Sequence, residues 1–148
     1  MPKFERKMEI DAPIEKVWEV MINPDYWPKW FPGIDSVSNV TSISKGGTFE
    51  WTKEGQTGKG TIEDIEPLRY LEILTQMGND KDEHVFKLRR SGGFLGLSAD
   101  ECQVEYQMDT LMGGGILGSF IAGGNPADAM RVKKTMHTLR KLVESLPK

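Results

Sequence analysis

The chain is poor in the residues that make covalent or metal chemistry easy. Its 148 residues include one cysteine, Cys102, and two histidines, His84 and His137. A lone cysteine closes no internal disulfide. A zinc site with so few nitrogen and sulfur ligands would rest on carboxylates, an unusual donor set, so no metal is expected, and no cofactor motif is found. Long apolar runs are missing too: none approaches the ~20 residues that cross a bilayer, which excludes a transmembrane helix but leaves transient membrane contact open. The opening MPKFERKMEI places charges where a secretory signal carries its apolar core, so a cytoplasmic location is expected. Charge of one sign is not in excess either. Twenty-two acids against 19 bases give a net charge of -3, with no global attraction to nucleic acid, and no nucleic-acid partner is expected. The string GQTGKG is similar to a phosphate loop but has Lys53 at the first glycine position and Gly60 in place of Ser or Thr. It reads as a hairpin turn instead. Nothing in the sequence fixes an oligomeric state.

What the chain does have is alternation. Phe4, Met8 and Ile10 share one face of a first strand, with Arg6 on the same parity. Pro13 then opens a helix whose apolar stripe is Ile14, Val17, Trp18 and Met21, ending near Asn23-Pro24. The stretch PDYWPKWFPG, residues 24–33, packs three prolines and four aromatic rings into ten positions and permits at most a short helical turn. Six strands follow: IDSVSNVTSI, GTFEWTKE, GKGTIEDIE, RYLEILTQM, EHVFKLRR and ECQVEYQMDTL, separated by Gly, Asn and Asp clusters. After the glycine-bracketed segment MGGGILGSFIAGG, Asn125 and Pro126 start a long helix, with Ala129, Val132, Met136, Leu139, Val143 and Leu146 on one stripe. Arg131, Lys133, Lys134, His137 and Lys141 read as its solvated side. The expectation is one α+β domain over residues 1–148, its helices on one face of an antiparallel sheet.

That order of elements, the opening IDAPIEKVWEVMINPDYWPKWFPGIDSV and the late TLMGGGILGSF before a helix containing TLRKLVES together resemble the START-like (SRPBCC) superfamily. The nearest branch is the polyketide cyclase/dehydrase and lipid-transport family. The resemblance spans nearly the whole chain and marks a fold more than a reaction. It implies a helix-grip fold: a curved seven-stranded antiparallel sheet wrapped on the long C-terminal helix, with two short helices after the first strand and an apolar cavity between sheet and helix. Trp18 would anchor the first short helix, and the aromatic stretch would form the second.

Strand parity then nominates the cavity lining. From the sheet it selects Phe49, Trp51, Thr75 and Met77, then His84, Phe86, Leu88, Tyr106 and Met108. Val132 and Met136 face them from the helix, and Phe120 covers them from the glycine-bracketed segment, which has the composition of a lid. Thr75, His84 and Tyr106 are the polar members, and each needs a partner, whether neighbour, water or ligand. The implied function is binding or transport of a hydrophobic small molecule, a lipid, isoprenoid or polyketide. The alternative is a cyclase or aromatase with His84 or Tyr106 moving protons, although no nucleophile–base pair stands out and no catalytic residue is nominated. A third is an interaction module like the Hsp90-ATPase activators, whose Gly-Trp before the terminal helix is absent here.

Overall fold

The structure is a computed structural model that describes residues 3–31, 34–91, 101–111 and 126–146. Phe120 and the rest of the glycine-bracketed segment, with Asn125, expected from the sequence to start the terminal helix, lie outside the described residues. Among those described are seven strands and three helices. β1 (Lys3–Ile10) leads into α1 (Ile14–Ile22) and the one-turn α2 (Trp27–Trp30). β2 (Ser36–Ser38), β3 (Thr48–Lys53), β4 (Gln56–Glu66), β5 (Tyr70–Met77), β6 (Asp80–Ser91) and β7 (Glu101–Leu111) follow, and α3 (Pro126–Ser145) comes last. The strands form one antiparallel sheet in the order β1-β7-β6-β5-β4-β3-β2, so the first strand closes against the last and the rest is a meander. This is the helix-grip α+β fold.

Alternation sets which face is buried. Leu71, Ile73 and Thr75 on β5, His84, Phe86 and Leu88 on β6, and Cys102, Val104, Tyr106 and Met108 on β7 all point inward, and all are buried. Val132, Met136, Leu139 and Val143 bury the apolar stripe of α3, which packs on β1, β7, α1 and α2. Arg131, read with the solvated side of that helix, is instead half-buried, and its guanidinium lies 3.2 Å from the Asp82 carboxylate on β6.

Two details depart from the reading of the sequence. The strand expected over IDSVSNVTSI shrinks to Ser36–Ser38, because Asn39 takes a left-handed φ of 52° and ends the pairing. In GQTGKG the turn is made one step earlier, by Glu54 (φ 50°) and Gly55 (φ 81°), the two positive-φ loop residues of a type I′ hairpin between Lys53 and Gln56. Gly58 and Gly60 instead sit within β4, opposite Trp51 and Phe49. A methyl on Gly60 would lie 2.1 Å from Phe49 Cζ, and one on Gly58 would lie 2.6 Å from Trp51 Cε2. The two rings lie across the bare backbone of β4, and Trp51 Nε1 donates to the Lys59 carbonyl at 3.0 Å.

Candidate functional site

The inward residues of β5, β6 and β7 form a polar chain inside an aromatic cluster. Thr75 Oγ1 and His84 Nε2 are 3.0 Å apart, and His84 Nδ1 and Tyr106 Oη are 2.6 Å apart. Thr75 Oγ1 also donates to the Asp82 carbonyl at 3.4 Å. One proton arrangement satisfies all of them. Tyr106 O–H donates to Nδ1, the imidazole Nε2–H donates to Thr75, and Thr75 donates onward to the backbone. Both ring nitrogens are then occupied with the histidine neutral. Burial holds it so, depressing the His84 pKa to about 4, with only partial opposition from the Asp82 carboxylate. Burial likewise pushes the Tyr106 phenol far above its ordinary value. The Cys102 thiol is raised by burial to about 12, which leaves it a neutral, poorly nucleophilic group.

The aromatic stretch covers this chain. Pro28 stands in the single turn of α2, and Trp27 Nε1 donates to the Met21 carbonyl at 2.8 Å, tying the turn to the end of α1. Trp27, Trp30 and Phe31 are all buried. Phe31 rests edge-on to His84 with ring centres 4.8 Å apart, Trp30 meets Phe86 at 5.4 Å, and Trp27 tilts over Phe49 at 4.8 Å. Beneath them Phe86 stacks on Tyr106 at 4.5 Å. Phe49, His84, Phe86 and Tyr106 are thus brought together under the cap rings. Trp51 stays on the β3–β4 side over Gly58, half-buried Met77 lies opposite Asp80 at the mouth of the β5–β6 hairpin, and Leu88 lies opposite Val104. Met108, opposite His84, and Val132 and Met136 on the helix are buried in the same core. Trp30 Nε1 is buried without an acceptor among the described residues, a defect that costs about 1–3 kcal/mol.

A cleft of about 430 Å³ opens between α2 and α3. Trp30, Phe31 and Ile34 form its apolar wall, and Thr135 and Thr138 line it from α3. Lys29, Lys53, Arg131 and Lys134 stand around it with a single acid, Asp35. Sequence reasoning missed this cluster. Its cations come from three separate elements, and only the aromatic stretch hinted at a feature in this place.

Comparison with known proteins agrees with this architecture. The polyketide cyclase/dehydrase and lipid transport family matches residues 1–144, and the chain belongs to that family. Among solved structures, the di-domain ARO/CYC protein BexL of the BE-7585A biosynthetic pathway superposes with a TM-score of 0.73 at 15% identity, over 97% of this chain and 47% of BexL. DynU16, from the dynemicin biosynthetic locus, gives 0.68 at 17% identity over 98% of this chain and 48% of its own. Ara h 8.0201 gives 0.68 at 14% identity, with 97% and 98% covered. The chain therefore spans about half the length of DynU16 and BexL. At these identities the likeness establishes the fold alone. No curated protein matches the chain. Among the described residues no helix is long and apolar enough to cross a membrane, and no group of three or more His, Cys, Asp or Glu side chains is placed to hold a metal.

Proposed function

We propose that the protein binds a hydrophobic small molecule between the sheet and α3, reached through the cleft beside α2. One observation carries this reading. Trp30 and Phe31, which wall the cleft, are the same rings that rest on Phe86 and His84, so a molecule in the cleft abuts the cover of the interior. Displacing those two rings would uncover His84 and Phe86, two of the inward residues selected by parity. The 430 Å³ of the cleft falls within the roughly 300–1,000 Å³ common for small-molecule sites. Family membership supports a carrier as well as a cyclase. Against proton transfer near neutral pH stand the depressed His84 and the raised Tyr106, since an effective acid–base group titrates near the working pH.

The reading is tested by titrating the purified protein with the uncharged fluorophore N-phenyl-1-naphthylamine and by extracting the protein into organic solvent for mass spectrometry. Saturable binding near one probe per chain, or a near-stoichiometric hydrophobic molecule in the extract, is the expected result. A protein that neither takes up the probe nor yields an extractable molecule has no such function.

A further inference from the structure

The cations around the cleft are out of keeping with the chain that carries them. The protein is net acidic at -3, yet the cleft sets Lys29, Lys53, Arg131 and Lys134 against Asp35 alone. Their roles differ. Arg131 is held by Asp82, and Lys29 lies 5.6 Å from the centre of the Tyr26 ring. None of the four ion pairs found among the described residues uses Lys53 or Lys134. The Asp35 carboxylate already accepts the Glu54 backbone N–H at 2.7 Å. Lys53 extends from the end of β3, and Lys134 from the turn of α3 that also presents Thr135 and Thr138. Two lysines, one from β3 and one from α3, thus line the same cleft as the apolar wall made by Trp30, Phe31 and Ile34. Each prefers an anion, and the partly enclosed, low-dielectric wall beside them strengthens that preference.

We propose that the ligand is an amphipathic anion, an apolar chain or ring system ending in one carboxylate or phosphate. Its head lies between Lys53 and Lys134, and its body runs along Trp30 and Phe31 toward the interior. The proposal rests on the hydrophobic-ligand reading above and adds the head group and its place. A neutral lipid would gain nothing from the lysines.

The test separates the two. Displacement of N-phenyl-1-naphthylamine is measured with decanol, decanoate and decyl phosphate on the wild type, on Lys53→Gln, on Lys134→Gln and on the double variant. Lys133→Gln serves as a control, since Lys133 is exposed on the same helix but does not line the cleft. Each single variant is expected to weaken decanoate about threefold to fivefold, and the double variant about tenfold or more, in line with partly exposed charge pairs. Decanol should change less than twofold on every variant, and Lys133→Gln should leave all three displacers unchanged. Raising the salt concentration should weaken the anions selectively. The head that loses more on the double variant, carboxylate or phosphate, is the one the lysines fit. If decanol and decanoate respond alike to the lysine variants, the head-group proposal is overturned while the cavity reading stands. If neither the probe nor decanol binds the wild type and no hydrophobic molecule is extracted from it, both fall together.

Discussion

His84 and Glu83 are neighbours on β6, and the strand's alternation sends them to opposite faces of the sheet. Inside, the imidazole lies between two hydroxyl groups and is kept neutral by burial, its pKa lowered to about 4. Outside, the Glu83 carboxyl shares a hydrogen bond with the Glu72 carboxyl beside Asp109 and Glu63, and its pKa rises to about 7. Tyr70 donates to Glu72 Oε1 at 2.5 Å on the same side. One residue is a base denied its proton and the other an acid made to keep one. The inner network is complete, every polar atom of its three side chains having a partner. The outer one is a set of like charges relieved by a proton, with Asp109 Oδ1 left buried and without a partner among the described residues. Titration therefore acts on the two faces with opposite sign.

The largest effect belongs to the inner face. The folded His84 pKa lies below its unfolded value of 6.5, so the unfolded chain binds the extra proton between them. The stabilisation is fully present above about pH 6.5 and is lost as pH falls toward 4. A displacement of this size corresponds to about 3 kcal/mol. Urea melts at pH 7 and pH 4 should show that loss in the wild type, less whatever other groups contribute, and the drop should shrink by about that amount in His84→Gln. An equal drop in both proteins would mean that His84 is not the group responsible.

A smaller effect should come from Tyr106→Phe, which removes the donor to His84 Nδ1 while keeping the ring that stacks on Phe86. A buried acceptor without a donor costs about 1–3 kcal/mol. The imidazole NMR signals should also report a change of tautomer or ring orientation. Unchanged stability together with unchanged imidazole signals would show that the hydroxyl adds nothing to the chain.

The smallest effect belongs to the outer face and runs the other way. Glu83 has its folded pKa above its unfolded one, so its contribution is present below about pH 4.5 and is lost as pH rises through 7. Because this residue is only partly buried, solvent screening holds the effect to about 1 kcal/mol or less. Glu83→Gln should be slightly more stable than the wild type at pH 9 and no more stable at pH 4. Equal melting midpoints at both pH values would remove the asymmetry between the faces.

Much of this was legible in the sequence, for physical reasons that also mark where it stops. Strict alternation in ECQVEYQMDTL and its neighbours fixes which residues face inward, because a strand has no other way to bury one side. Asp11-Ala12-Pro13 and Asn23-Pro24 bracket α1 for local reasons too. Alternation cannot say what covers a face. That Phe31 rests on His84, and Trp30 on Phe86, depends on how a proline-braced turn folds back over strands more than 50 positions later in the sequence. Nor does periodicity distinguish Arg131 from its neighbours on α3, since its partner, Asp82, lies on another element. The cleft cations were invisible for the same reason, being gathered by tertiary packing from α2, β3 and α3.

The place of β1 beside β7 bears on how the chain folds during synthesis. The strand made first pairs only with the strand made last, Ile10 opposite Cys102 and Lys7 opposite Glu105. Until residue 111 has left the ribosome, β1 has no strand to join, and the apolar face of α1 waits with it. Loop-closure entropy across that span must be met before any of these bonds form, which makes the step slow compared with closing the β3–β4 or β5–β6 hairpin. Between residues 91 and 111 the nascent meander therefore presents an open β6 edge while β1 waits unpaired, and in that interval it is most exposed to capture by chaperones or by other nascent chains.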